Sequence, residues 1–198
     1  LEKGQYKKAI STSIKTGKLY INMGDQTGIG EQLGNLTMAY RLLTATKNDI
    51  RYINKGIKYG EQALKIMREV KNEVEEARVL NELGILYSTR IDHREPATIV
   101  RTENRAAIQI SEKGLEGFLI DMTRAVEYLE KAAEKYRELG NQEQFGDVLL
   151  TLAVTLVKTG AKERALEVTY DAINILAKTN SPTLELANDF LREISPSR

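Results

Sequence analysis

One spacing recurs three times along this chain and limits what it can fold into. Leu80-x-x-Leu83-Gly84-x-x-Tyr87 is matched by Leu33-x-x-Leu36-Thr37-x-x-Tyr40 and by Leu149-x-x-Leu152-Ala153-x-x-Leu156. Steps of three and four place these residues on one face of an α-helix. A second spacing, built on small residues, alternates with the first: Ala9, Ser13, Thr16; Gly56, Gly60, Ala63; Ala125, Leu129, Ala132; Ala165, Thr169, Ala172. Two helix types therefore alternate. Neither can bury its own apolar stripe, so the pairs must stack and share one core.

The punctuation between these segments predicts the elements. Helical spacing runs from Tyr6 to Met23 and closes at Gly24, and Asp25 or Thr27 caps the next helix, which ends near Thr46. Asp49 caps a third that Asn72 closes, and Glu73, Glu75 and Glu76 suit the positive end of a fourth over 73–90. A weak helical stripe crosses 97–120, where no segment reads convincingly as a strand, and Asp121 is expected to cap a strong helix ending at Gly140–Asn141. Helices over 142–159 and 162–178 follow, with Ser181-Pro182 opening the last.

Composition narrows the chemistry. The chain has 198 residues, 29 Lys and Arg against 28 Asp and Glu, one histidine and no cysteine. Disulfides and thiolate metal sites are excluded, and a single histidine leaves no histidine-rich metal cluster. A formal charge of +1 argues against a nucleic-acid surface, although Arg51-Tyr52 and Lys55–Tyr59 interleave basic and aromatic residues. No apolar run approaches the ~18 residues of a membrane span. No nucleophile stands with a base and an orienter, so no catalytic residue, cofactor or metal ligand is assigned, and the chain reads as a non-enzyme. Gly28-Ile29-Gly30-x-x-x-Gly34 mimics a phosphate loop, but neither a buried strand nor a βαβ pattern accompanies it. His93, between Asp92 and Glu95, reads as a loop residue.

The paired spacings resemble the tetratricopeptide repeat family, whose first helix carries Leu-Gly-x-x-Tyr and whose second carries Ala-x-x-x-Phe. The resemblance covers about two thirds of the chain, without the family's Trp and closing Pro. Tyr40 to Tyr87 spans 47 residues, Tyr87 to Leu156 spans 69 and Ala125 to Ala165 spans 40. These intervals exceed the usual ~34. The 40-residue interval looks like the longer-helix subclass of kinesin light chain adaptors. The resemblance implies an all-α, right-handed α-solenoid of antiparallel helix pairs forming one domain over 1–198. Its expected parts are the second helix of an incomplete repeat (4–24), repeats over 27–72, 73–140 and 142–179, and a capping helix (181–195). An insertion is expected within the second repeat, about 88–120.

In such families the first helices of successive pairs line a concave groove. The resemblance puts Met38, Ile85 and Val154 at equivalent groove positions, with Gly34, Asn81 and Leu150 one turn earlier and Arg41 and Arg78 nearby. That lining is mostly apolar, and suits a peptide or amphipathic helix docked by helix-in-groove packing. The expected function is a cytoplasmic protein-interaction scaffold or adaptor. Two alternatives stay open: a regulatory sensor for a short peptide or small effector, and a self-association module. Because 4–24 matches a second helix, its partner is expected upstream in a longer array or on another subunit, which leaves homo-oligomers through an exposed repeat end open.

Overall fold

Side-chain oxygens of Asp25, Asp49, Asn72 and Ser111 each accept a hydrogen bond from a backbone N–H two or three residues ahead, and each begins a helix. The computed structural model describes residues 3–94, 97–102 and 105–195. In chain order the elements are α1 (Lys3–Met23), α2 (Gln26–Lys47), α3 (Ile50–Glu69), α4 (Glu73–Ile91), β1 (Ala97–Thr102), β2 (Arg105–Ile110), α5 (Glu112–Glu138), α6 (Gln142–Lys158), α7 (Lys162–Thr179) and α8 (Leu184–Ile194). Gly140 and Gly160 end α5 and α6 with φ of +70° and +84°, a backbone state that other residues enter at a cost.

Each helix packs against the next in sequence from α1 to α4 and from α5 to α8, and α4 packs on α5 across the hairpin. In addition α2 touches α4, and α4 touches α6. The molecule is thus an all-α solenoid of sequentially stacked helices that carries one hairpin. Recurrent residues build its core: Leu80, Leu83, Leu129, Ala125, Ala165 and Ala172 are fully buried. Burial of each leucine contributes about 1.5–3 kcal/mol relative to exposure.

The glycines of the motifs mark close helix approaches. A Cβ at Gly56 would lie 2.8 Å from Leu86 Cδ1 of α4 and 3.3 Å from Tyr40 Cβ of α2. One at Gly60 would meet Leu83 at 2.6 Å and Thr37 at 3.1 Å. Both glycines therefore sit where α2, α3 and α4 converge. The phosphate-loop mimic has the same explanation: Gly28 packs under Tyr20, Gly30 under Met67 and Gly34 under Arg78, all within α2.

Three expectations need correction. Residues 97–102 and 105–110 form an antiparallel strand pair rather than a weak helix, with Ile99 opposite Ile108 and Thr102 opposite Arg105. The β-branched run Thr98-Ile99-Val100 with Thr102 favours a pleated strand over the helix that a loose apolar count suggested. Asp121 caps nothing. Helix α5 starts nine residues earlier behind Ser111, and Asp121 lies inside it, fully buried, accepting from Arg90 at 2.5 Å and 3.0 Å and from Arg94 at 2.8 Å. Finally, α8 begins at Leu184, and Ser181 and Pro182 form the turn before it, where Ser181 Oγ accepts from the Thr183 N–H.

Candidate interaction surfaces of the solenoid

Helices α2, α4 and α6 lie side by side, and polar bonds stitch the seams between them. Across α2 and α4, Arg41 Nε donates to Glu82 Oε2 at 2.5 Å, and Arg78 Nη2 donates to Asn35 Oδ1 at 3.5 Å. Across α4 and α6, Thr155 Oγ1 donates to Ser88 Oγ at 3.0 Å, and Lys158 pairs with Asp92 at 2.6 Å. Glu82 is almost fully buried, so its bond to Arg41 compensates a carboxylate that burial would otherwise disfavour.

Of the expected site residues, Arg41 and Arg78 take part in these seam bonds, and Met38 lines a cleft between α1 and α2. Met38 is exposed, Ile85 and Val154 are half-buried, and Leu150 is buried. Met38, Ile85 and Val154 hold one register position on three neighbouring helices. Asn81 is half-buried with its Oδ1 fully covered, and that oxygen accepts no hydrogen bond from the described residues. Arg41 and Arg78 are already engaged, with Glu82 and with Glu75 (2.5 Å) respectively. Each arginine thus has a carboxylate partner within the chain.

These are helical-repeat surfaces. A crystal structure of a de novo designed helical repeat protein superimposes with a TM-score of 0.55, at 14% identity, over 96% of this chain and 85% of the designed one. At that identity the likeness carries the fold alone. No protein-family model and no curated protein matches the chain.

Two further clefts were not foreseen from the sequence. One, of about 460 Å³, opens between α5, α6 and α7 over Phe145, Leu149, Leu152 and Val168, with the Glu130–Arg164 ion pair at its rim. The other, of about 600 Å³, lies between α1 and α2, with Ala9, Thr12, Asn35, Met38 and Leu42 among its walls. The repeat arithmetic contained the second: Ala9 holds the place of Gly56, Ala125 and Ala165, yet it alone of the four is exposed.

A polar network joins α3, α4 and α5 behind the seams. Glu61 accepts from Tyr87 at 3.1 Å and from Tyr128 at 2.8 Å, and Arg124 donates to the Tyr87 hydroxyl at 2.5 Å. Burial, aided by the Glu61 carboxylate, pushes the Tyr128 phenol well above its usual range. Burial also pushes Tyr136 up to about 12. Among the described residues no group of three or more potential metal ligands occurs, and no helix is long and apolar enough to cross a membrane.

Proposed function

We propose that the chain is a non-catalytic, cytoplasmic interaction scaffold of tetratricopeptide type, similar to kinesin light chain adaptors, that holds a peptide or amphipathic helix in a mostly apolar groove. The groove is the face of α2, α4 and α6, and its contacts are Met38, Ile85 and Val154 with Asn81 and Leu150. Arg41 and Arg78 act at its edge as positioning groups through their pairs with Glu82 and Glu75. Repeats over 27–72, 73–140 and 142–179 supply one groove helix each, flanked by 4–24 and 181–195.

The observation that carries this reading is the incomplete burial of one register position on three adjacent helices, each flanked in sequence by buried residues. Apolar side chains at regular intervals match the i, i+3, i+4 and i+7 anchors of a docked helix. Engagement of both arginines within the chain favours an apolar ligand over a carboxylate-bearing one.

A displayed peptide library tests the proposal. Wild type is expected to enrich amphipathic sequences with regularly spaced apolar anchors, and a variant carrying Met38→Glu, Ile85→Glu and Val154→Glu is not. Equal enrichment of the same sequences by both proteins would refute the groove.

A further inference from the structure

The cleft between α5 and α7 over α6 has a counterpart one repeat earlier, between α3 and α5 over α4. A shift of 69 residues carries Gly56 of α3 onto Ala125 of α5 and Leu80 of α4 onto Leu149 of α6, and a shift of 40 carries Ala125 onto Ala165 of α7. Each side chain around the earlier position therefore has an equivalent around the later one. Together they show one seat filled and one open.

In the filled seat, Tyr128 of α5 reaches across to α3, where its hydroxyl donates to Glu61 at 2.8 Å, and its ring lies 5.7 Å from that of Tyr87. Leu64 of α3 is buried, and Glu76 of α4 is held by Arg68 of α3 and Lys135 of α5, each at 2.9 Å. The chain's own side chains bridge this seat. In the open one, Val168 stands for Tyr128, Ala133 for Leu64, Phe145 for Glu76 and Ile175 for Lys135, and all four line the cleft of about 460 Å³. The ring and its hydroxyl are gone, as are both bridging ion pairs, and the floor is apolar.

The carboxylate that received the hydroxyl is kept. Glu130 and Arg164 stand for Glu61 and Arg124. In the filled seat Arg124 donates to the Tyr87 hydroxyl; in the open seat Leu156 replaces that tyrosine, and Arg164 pairs with Glu130 instead. Rim charge is inverted at two further positions, where Glu134 replaces Lys65 and Asp171 replaces Lys131. Both carboxylates are exposed, Arg137 stands 3.9 Å from Glu134, and Asp171 forms no ion pair among the described residues. Such a rim favours a cation beside whatever enters the cleft.

From the filled seat and the inverted rim together, we infer that the α5–α7 cleft binds a tyrosine side chain of a basic partner peptide. The ring takes the space that Val168 and Ala133 leave, the hydroxyl donates to Glu130 beside Arg164, and a neighbouring lysine or arginine faces Asp171. A hydrogen bond to an ionised acceptor makes the hydroxyl the selective group. The inference goes beyond the groove reading: the cleft shares no residue with the groove, and its ligand is basic and aromatic.

The probe is a fluorescently labelled, C-amidated pentapeptide, Lys-Lys-Tyr-Lys-Lys, titrated with the full chain. The expected result is saturable binding with Kd of about 0.1 mM or tighter that weakens as salt is added. Phenylalanine in place of the peptide's tyrosine is expected to weaken it about tenfold. Asp171→Lys, at an exposed position, is expected to weaken it about fivefold or more. Val168→Tyr rebuilds the filled seat and is expected to abolish binding with no fall in Tm. Met38→Glu with Ile85→Glu and Val154→Glu is expected to leave this binding intact, which separates its failure from failure of the groove.

Absence of saturable binding overturns the inference. Equal affinity for the tyrosine and phenylalanine peptides does so too, as does binding that Val168→Tyr leaves unchanged. A concentration-dependent dimer in light scattering that Val168→Tyr dissolves, without peptide binding, would assign the cleft to a second copy and likewise overturn it.

Discussion

A Cβ placed on Gly84 would lie 2.5 Å from Cγ of Leu129 and 3.3 Å from the Leu129 backbone nitrogen. The first contact is with a branch-point carbon and the second with main chain, so neither can swing aside. Helices α4 and α5 are thus held at a separation that only glycine allows. Gly84→Ala gains about 1 kcal/mol of helix propensity and loses about 1–3 kcal/mol to overpacking. The expected net effect is destabilisation. At Gly17 an added Cβ meets only Gln32 Cβ, at an ordinary 3.7 Å, so Gly17→Ala should stabilise by about 0.5–1 kcal/mol. Urea unfolding of the two variants checks this opposite response to one substitution.

Asp121 fixes the end of α4 to the interior of α5. Its side chain is fully buried and holds Arg90, 15% exposed, and Arg94, 31% exposed. Asp121→Ala leaves two partly buried cations without their shared anion, at an expected cost of about 3–5 kcal/mol. Asp121→Asn retains hydrogen-bonding capacity and is expected to lose less. Chemical denaturation measures both, and equal stability of Asp121→Ala and wild type would remove the anchoring role.

The tyrosines predict alkaline instability. Burial raises Tyr40, Tyr87, Tyr128 and Tyr136, the last to about 12. For Tyr136, Glu82 and Glu75 add to the rise and Arg78 opposes it. A phenol raised in the fold stays protonated while the unfolded chain ionises near the reference value of about 10. Its stabilising contribution is therefore complete below about pH 10 and is lost as pH climbs from there toward 12. Tyr136 donates no hydrogen bond among the described residues, so Tyr136→Phe should leave neutral stability nearly unchanged and soften the alkaline loss. Unfolding midpoints across pH, with tyrosinate absorbance, report both effects.

Asn81 separates stability from binding. Its buried Oδ1 has no partner among the described residues, a state that costs about 1–3 kcal/mol. Asn81→Leu removes that acceptor and should raise stability by about 1 kcal/mol. On the groove account it also weakens capture of library-selected peptides. A variant that is more stable yet binds less well is the expected outcome in paired unfolding and binding assays.

The helix pairs were legible because their chemistry is local and periodic. Leu80, Leu83, Gly84 and Tyr87 announce a buried face, and Asp25, Asp49 and Asn72 announce helix starts. Asp121 was misread for a physical reason: an aspartate before an apolar run looks like a cap, and only distant Arg90 and Arg94 give it another use. The hairpin was missed because its apolar residues are too few to separate period two from period 3.6. Of the proposed groove positions, the equivalence of Met38, Ile85 and Val154 rests on sequence register alone. The pairing of Arg41 with Glu82 was not legible, because nothing local joins residues on different repeats.

The central claim is that one face of the stack, shared by α2, α4 and α6, receives the ligand. Hydrogen exchange of the chain with and without a library-selected peptide tests it most directly. The account predicts slowed exchange concentrated in α2, α4 and α6, with α5 and α7 unchanged on either side of the Phe145 cleft. Protection confined to α5 and α7, with α2 and α4 unaffected, would contradict it.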